Sequence, residues 1–317
     1  RTTEAAKRAD LHIKSQPGTE VALFNAMANH MIQNNLHDED FISERCENFD
    51  QMREIVANYT PESVAELCGV SADEIKAAAE LYASAKPASI VYGLGVTEHR
   101  TGVDSVQALT NLCLITGNIG AAASGINALR GQNNVQGATD MCAPEWLPGY
   151  QSWEDAAVVE KFENINGASL PKPDGPFIFC SRMWEEALGG QLKALYAIGT
   201  DPALTEGNLE KVERALDSLE LLIVQEVFPS RTMKHAHVVL PSCSFVEKDG
   251  TYINTERRVQ LIHKAIEPLG DSKPDWQILC ELAERMGYEG MNFESPEEVF
   301  EEMRQVVPLY AGITYER

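Results

Sequence analysis

The pattern of apolar and polar residues predicts short strands that alternate with amphipathic helices. Residues 88–92 form an apolar run that ends at a glycine turn, and residues 106–114 show the apolar spacing of a helix. Upstream, Thr60 and Ser71 each precede a helical pattern and carry a side-chain oxygen able to cap a helix. The order strand, glycine turn, helix presents backbone N–H groups to a bound phosphate.

The same order recurs further along the chain. An apolar strand over residues 193–198 precedes a helix over residues 208–216, and buried strands are predicted over residues 219–227 and 238–240. Strands that alternate with helices are typical of a parallel, doubly wound sheet. We therefore predict an α/β protein with two doubly wound, dinucleotide-binding-like domains plus part of a third domain.

Two segments depart from this pattern. Residues 138–185 are rich in Pro, Gly, Trp and acidic residues, and they are predicted to form a long irregular excursion. Residues 130–137 contain almost no apolar side chains, so neither a core helix nor a core strand is predicted there. From residue 247 the pattern changes again, with a turn entering a strand near residues 248–254 and an amphipathic helix over residues 276–286.

Composition excludes several classes of partner. The 317 residues carry 26 Lys and Arg against 48 Asp and Glu, for a formal net charge of −22. This acidic field repels phosphate backbones and anionic lipids, so neither nucleic acid nor a membrane surface is an expected partner. No apolar run reaches the roughly 18 residues of a membrane-spanning helix, and no signal-peptide pattern is recognised, so no membrane insertion is expected.

The cysteines and histidines do not indicate a metal site. Seven cysteines are scattered singly without a CxxC pair, which argues against a disulfide framework and against a complete zinc or iron–sulfur site. His235 and His237 have the spacing of residues on one side of a strand, but no carboxylate or cysteine cluster accompanies them. We predict thiols in a reducing compartment and no metal held by this chain alone.

One segment combines a single arginine with several side-chain amides. Arg130 is followed by Gln132, Asn133 and Asn134, and glycines flank the group. Glycine permits close approach of a ligand, amides supply donors and acceptors without charge, and a guanidinium holds a planar anion through two parallel hydrogen bonds. Surface loops rich in Asn and Gly have the same composition, so the segment alone leaves both interpretations open.

Polar groups also follow four of the predicted strands, after residues 92, 198, 224 and 240. In a doubly wound sheet, ligands bind beyond the carboxyl ends of the strands. Asp201, in one of these segments, is suited to the amino and imino edge of guanine or to a ribose hydroxyl. Each segment alone is typical of a turn, whereas together they suggest two nucleotide sites.

Residues 128–141 resemble the signature of molybdopterin-dependent formate dehydrogenase catalytic (alpha) subunits. Landmarks of that family also match residues 93–99, 114–120, 199–202 and 240–258, and the resemblance covers essentially the whole chain. It implies one Mo or W held between two molybdopterin guanine dinucleotides (a bis-molybdopterin guanine dinucleotide centre) and reversible oxidation of formate to carbon dioxide. Arg130 matches the arginine that orients formate next to the metal, and His99 matches a second polar position near it.

The resemblance also implies cofactor-binding residues. The residues matched to the first guanine nucleotide are Arg1, Gly18 and Glu20, and those matched to the pterins are Leu94, Glu98 and Gln132. The residues matched to the second nucleotide are Gly199, Asp201, Thr205, Gln225 and Ser242, and Asp275 matches a guanine contact.

By the same resemblance, residues 1–132 and 133–245 are two α/β molybdopterin guanine dinucleotide-binding domains. Residues 246–317 are a partial α+β segment of the iron–sulfur-side domain. The family's [4Fe–4S] cysteines and its metal-ligating cysteine or selenocysteine, which lie in an N-terminal part, cannot be matched in this chain. We therefore expect an internal fragment that is inactive by itself, from a cytoplasmic enzyme that passes electrons to an iron–sulfur or flavin subunit.

Two alternatives remain at this point. The first is a non-catalytic scaffold of the same fold in an electron-transfer complex, which has no need of the arginine and amides at residues 130–134. The second is a related molybdopterin oxidoreductase that acts on nitrate or on a formyl carrier. A measurement of bound guanine nucleotide in the whole protein separates the first alternative from a formate dehydrogenase. Substrate assays separate the second alternative from a formate dehydrogenase.

Overall fold

The computed structural model describes residues 2–142, 145–171 and 178–317. The chain forms two compact units, Arg1–Gly131 and Gln132–Arg317. The boundary predicted between residues 245 and 246 lies inside the second unit and stays a prediction, as do the other domain limits. Among the described residues, no helix combines the length and the apolar character needed to cross a bilayer.

The first unit is mainly helical and is organised around one central helix. Its helices are α1 (Glu4–Arg8), α2 (Glu20–Gln33), α3 (Glu39–Arg45), α4 (Phe49–Val56), α5 (Pro61–Cys68), α6 (Ala72–Ser84), α7 (Leu94–Thr97) and α8 (Gly102–Ile115). Helix α2 contacts α4, α5, α6 and α8, and its Ala26 and Met31 are fully inaccessible to solvent. Its apolar side chains therefore join two buried clusters of the unit.

Two short parallel strands complete this unit. They are β1 (Ser89–Tyr92) and β2 (Gly125–Ala128), and Tyr92 lies opposite Ala128 at their carboxyl ends. Helix α8 follows β1 and packs against both strands. The strand predicted over residues 88–92 and the helix predicted over residues 106–114 are thus confirmed.

The helix starts predicted at Thr60 and Ser71 are also confirmed. The Thr60 hydroxyl accepts a hydrogen bond from the backbone N–H of Ser63 at 3.1 Å. Ser71 and Glu74 form a capping box, in which each side chain accepts a hydrogen bond from the other residue's backbone N–H. These bonds satisfy N–H groups that the first turn of a helix leaves without partners.

The second unit begins with helices and continues as a parallel sheet. Its first elements are α9 (Val135–Met141), α10 (Ala156–Asn166), α11 (Cys180–Leu188), β3 (Ala194–Ile198), α12 (Pro202–Thr205), α13 (Leu209–Asp217), β4 (Leu221–Glu226) and β5 (Val238–Pro241). The strand order is β3-β4-β5 with both pairs parallel. Two units with parallel strands followed by helices confirm the predicted α/β class.

A buried cluster covers one face of this sheet. Leu222 and Val224 of β4 contact Val212 and Leu216 of α13 together with Trp184 of α11. Val212, Leu216, Leu222 and Val224 are completely buried. Residues of β4 alternate between the sheet faces, so Gln225, next to Val224, is directed to the opposite face.

The rest of the second unit packs around an antiparallel hairpin. It contains β6 (Gly250–Ile253), β7 (Val259–Ile262), α14 (Asp275–Arg285), α15 (Pro296–Val306) and a 3₁₀ turn at Pro308–Tyr310. Ile253, Phe300 and Tyr310 share a buried cluster with residues 147 and 162 from the earlier part of the unit. The segment after residue 247 therefore shares an apolar core with the earlier part of the unit.

Two sequence-based predictions are wrong, and the structure refines a third. Residues 138–185 are not one irregular excursion, because α10 lies within them and α9 and α11 each overlap one end. Residues 130–137 are irregular only up to residue 134, since α9 begins at Val135. His235 and His237 do not share a strand face: His235 ends a 3₁₀ turn and contacts Asp217, whereas the His237 ring accepts a hydrogen bond from the N–H of Leu222.

Candidate functional site

Three of the predicted nucleotide-binding residues lie at the carboxyl edge of the β3-β4-β5 sheet. The N–H of Gly199 donates to the carbonyl of Gln225 at 2.9 Å, and the N–H of Ser242 donates to the carbonyl of Glu226 at 3.2 Å. Gly199 has φ +62, and a Cβ built on it meets no atom within 4 Å. The edge beside Gly199 is therefore open to a ligand, in the position where parallel sheets bind nucleotides.

A series of hydrogen-bonded polar side chains extends from this edge into the protein. The Tyr196 hydroxyl donates to the Gln225 amide oxygen, and the Gln225 Nε2 donates to Asp275 Oδ1 at 2.6 Å. Gln225 is fully buried, so each of these bonds satisfies a group that water cannot reach. The structure thus brings together Gln225 and Asp275, which are 50 residues apart in the sequence.

Lys248, which was not among the predicted site residues, extends this series of side chains. Its ammonium group forms an ion pair with the other oxygen of Asp275. Burial, together with the Asp275 carboxylate, raises the pKa of Tyr196, which therefore stays protonated and able to donate. The available signal was a lysine two residues before the strand β6, at a landmark already matched to the family.

A cavity of about 290 Å³ opens beside this ion pair. Lys248 and Asp275 line one part of it, and the rings of Tyr252 and Trp276 line another. Asp275 is the first residue of α14, where the helix dipole stabilises a carboxylate. A cavity with a carboxylate, an ammonium group and aromatic walls is suited to a planar heterocycle that carries both donors and acceptors.

Asp201 has a different environment from the one expected for a ligand-reading carboxylate. Its Oδ2 accepts the N–H of Arg231 at 2.9 Å, and its Oδ1 accepts both the N–H and the hydroxyl of Thr232, at 2.8 and 2.6 Å. Burial opposes ionisation, but these hydrogen bonds outweigh it and lower the pKa of Asp201. In this structure the carboxylate fixes the turn that follows β4, and Thr205 is exposed on the helix after Asp201.

In the first unit, Arg130 lies at the corresponding edge of the β1-β2 pair. The N–H of Leu129 donates to the carbonyl of Tyr92 at 2.7 Å, which continues the parallel pairing past the ends of both strands. Arg130 therefore follows β2 beside the turn at Gly93 that opens α7. Leu94 and Leu129 are 66% and 60% exposed, so this edge presents apolar surface next to a guanidinium.

The turn after α7 is packed closely against α8. A Cβ on the buried Gly102 would lie 2.1 Å from the carbonyl oxygen of Thr97, so only glycine fits there. This packing fixes the segment that carries Glu98, which is exposed, and His99. The His99 Nε2 is 3.1 Å from the carbonyl oxygen of Gly95.

Glu20 and His99 lie next to each other, although the resemblance matched them to different parts of the cofactor. Glu20 Oε1 is 3.8 Å from His99 Nε2. Glu20 is buried at the start of α2, and its Oε2 has no hydrogen-bond partner among the described residues. A buried oxygen of this kind fits a donor from a bound group. Gly18, with φ +87, forms the turn before it, and Arg1 lies outside the described residues.

The signature amides serve different purposes. Gln132 and Asn133 are exposed. Asn134, by contrast, accepts the N–H of Ile253 at 3.0 Å and so joins α9 to β6. Among the described residues, no group of three or more His, Cys, Asp or Glu side chains is arranged to hold a metal ion.

Comparison with known proteins identifies the family. The sequence model of the molybdopterin oxidoreductase family matches residues 1–285. F420-dependent formate dehydrogenase 2 subunit alpha of Methanococcus maripaludis is 47% identical over 320 residues, which are 100% of this chain and 47% of that protein. Formate dehydrogenase H of Escherichia coli is 45% identical, and the match covers 100% of this chain and 44% of that protein.

Solved structures agree on the fold. Acetylene hydratase from Pelobacter acetylenicus superimposes with a TM-score of 0.75 at 24% identity, covering 100% of this chain and 46% of the hydratase. The chain spans about half the length of the curated relatives it matches. The resemblance to formate dehydrogenase alpha subunits is confirmed, and the chain belongs to the molybdopterin oxidoreductase family.

Proposed function

We propose that the whole protein is a formate dehydrogenase with Mo or W held between two molybdopterin guanine dinucleotides. The observation that carries this proposal is the position of Arg130 two residues after the end of β2, beside the turn that opens α7. The relatives with 45% and 47% identity are named formate dehydrogenases, which supports formate as the substrate. In the proposed enzyme this chain supplies the formate-binding arginine and most contacts to the two nucleotides.

Arg130 holds formate by geometry and charge. Two parallel N–H donors of the guanidinium match the two oxygens of formate, the smallest planar carboxylate. A carboxylate held at both oxygens has its C–H bond fixed in one direction, so most of the rate gain from Arg130 is orientation. Leu94 and Leu129 expose apolar surface beside Arg130. When a bound group covers this surface, it keeps water away from one side of the formate. When bound, the metal centre supplies the acceptor for the two electrons of formate oxidation.

The residues of the second unit fit a guanine nucleotide. The carboxylate of Asp275 accepts the imino and amino hydrogens of a guanine, and Lys248 balances its charge. Gly199, where a Cβ would meet no atom within 4 Å, leaves space at the sheet edge for the sugar and phosphates, and Ser242 lies at the same edge. In the first unit, the buried Oε2 of Glu20, which has no partner among the described residues, fits a donor from the other nucleotide.

The electron path lies outside this chain in the proposal. We assign the [4Fe–4S] cluster to another part of the whole protein and the next acceptor to an iron–sulfur or flavin subunit, following the resemblance. All seven cysteines are free thiols, which supports a reducing, cytoplasmic location.

The test uses the whole protein, purified without air. Formate-dependent dye reduction, oxidation of reduced dye by nitrate, and transfer from a formyl carrier are measured side by side, together with Mo, W and acid-released guanine nucleotide. The proposal predicts activity with formate and two guanine nucleotides per metal. Activity only with nitrate or the formyl carrier contradicts formate as substrate, and absence of metal, nucleotide and activity together favours the scaffold.

A further inference from the structure

Helix α9 follows the signature amides directly and is held at its carboxyl end by a buried aspartate. Asp140 is 7% exposed and accepts three side-chain hydrogen bonds. Gln136 Nε2 and the Tyr150 hydroxyl donate to Oδ1 at 2.8 and 2.9 Å, and the Tyr310 hydroxyl donates to Oδ2 at 2.5 Å. The Asp140 carbonyl also accepts the N–H of Gly149 at 2.6 Å.

Tyr310 is the most distant donor in sequence, 170 residues from Asp140. Its ring is buried at 4% exposure and stacks edge-on against Phe300. Burial and the hydrogen bond to Asp140 raise the pKa of Tyr310 well above its ordinary value. The phenol therefore stays protonated near neutral pH and is able to donate to Asp140.

The other end of α9 is fixed as well. Asn134 directly precedes the helix with φ +60, and its side-chain oxygen accepts the N–H of Ile253 in β6. Gly137 allows this arrangement, since a Cβ there would lie 2.4 Å from the Asn134 oxygen. Gln132 and Asn133 are thus joined to a helix whose two ends are both anchored by side-chain hydrogen bonds. Their side chains remain exposed.

We propose that Asp140 and Tyr310 are positioning residues that fix α9 and so set the place of Gln132 at the cofactor. This inference rests on the proposed function, in which Gln132 contacts a pterin. A neutral amide recognises a ring through one or two directional hydrogen bonds, so a displacement of the order of 1 Å removes them. A charge-assisted, buried hydrogen bond at the far end of a two-turn helix prevents that displacement.

The experiment compares Tyr310→Phe with Tyr315→Phe in the whole protein. Each variant loses one phenol oxygen from the same apolar cluster, but no hydrogen bond is found for the Tyr315 hydroxyl among the described residues. Hydrogen exchange is followed in the peptide covering residues 132–142, and formate turnover is expressed per bound metal. Tyr310→Phe is expected to speed exchange about tenfold and to lower kcat about tenfold, with little change in KM for formate.

Asp140→Asn provides the second variant, because it keeps the side-chain volume while weakening acceptance from Tyr310. The double variant is expected to be little slower than Asp140→Asn alone, since both changes act on the hydrogen bond from Tyr310. Equal exchange in Tyr310→Phe and Tyr315→Phe overturns the anchoring role. Faster exchange with unchanged kcat per metal overturns the link to the cofactor. A wild-type protein without formate activity refutes the proposed function instead, and the exchange measurement still decides the anchoring role.

Discussion

Replacing Gly137 with alanine tests how the signature segment is held. Gly137 is the third residue of α9, and a Cβ there would lie 2.4 Å from the Asn134 Oδ1 and 3.3 Å from a methyl carbon of Ile253. No Cβ tolerates an oxygen at 2.4 Å, so the Asn134 side chain must move. When it moves, it loses the hydrogen bond from the Ile253 N–H, which is 3.0 Å long.

The size of the effect follows from two opposing contributions. Ile253 is buried, so its N–H finds no water in exchange, and leaving it without an acceptor costs about 1–3 kcal/mol. Alanine in place of glycine within a helix gains about 1 kcal/mol. The hydrogen-bond loss exceeds the gain in helix propensity, so Gly137→Ala is expected to lower the free energy of unfolding of this region by roughly 1 kcal/mol.

The assay combines thermal unfolding with hydrogen exchange of the peptide covering residues 250–254. The control background is Asn134→Gly, which adopts the observed φ of +60 without a side chain. In that background the clash is absent and only the helix propensity remains. Gly137→Ala should then raise the free energy of unfolding by about 0.5–1 kcal/mol.

The two backgrounds must therefore give opposite signs. If Gly137→Ala stabilises the protein that retains Asn134, the clash is relieved without loss of the hydrogen bond and the reasoning fails. If it destabilises both backgrounds equally, the cost comes from another contact, such as the one with Ile253.

Two further predictions concern the second unit. Asp201→Asn should lower the free energy of unfolding by about 2 kcal/mol near neutral pH, because a carboxylate that accepts three hydrogen bonds becomes a poorer acceptor. Folding lowers the pKa of Asp201, so the stabilisation that Asp201 gives the folded state is complete above the unfolded pKa of about 3.9. This stabilisation is lost as the pH falls through the lower folded pKa. Thermal unfolding measured from about pH 7 to 3 should therefore show a difference in stability between wild type and variant that shrinks in acid. Lys248→Met should leave Asp275 without its cation and reduce acid-released guanine nucleotide per protein, whereas Lys264→Met, which removes an exposed pair with Glu267, should not.

Local patterns were sufficient for most elements of the fold. The caps at Thr60 and Ser71 and the apolar runs of β1, β3 and β4 are short-range features, and the structure has them where they were predicted. The helices α10 and α11 were missed because residues 142–153 and 167–176, rich in Pro, Gly and acid, dominate the composition around them. Helical periodicity over 9–11 residues does not stand out against such flanks.

The candidate site shows the same limit more sharply. Strand ends and the family resemblance indicated Gln225 and Asp275. Nothing local in the sequence, however, predicts the hydrogen bond of 2.6 Å between Gln225 Nε2 and Asp275 Oδ1. The pairing of Lys248 with Asp275 and of Asp140 with Tyr310 depends on packing between distant elements. Likewise, Asn134 looked like a ligand amide because its backbone partner in β6 is 119 residues away.

Binding of formate by Arg130 is tested by one comparison of rates across three proteins. Formate-dependent dye reduction per bound metal is compared for wild type, Arg130→Ala and Arg45→Ala in the whole protein, with Arg45 chosen as an exposed arginine at the end of α3. Loss of a bidentate, orienting contact predicts a fall in kcat/KM of at least about a hundredfold for Arg130→Ala, with metal retained, and no change for Arg45→Ala. Arg130→Ala with wild-type kcat/KM and full metal content would contradict the account.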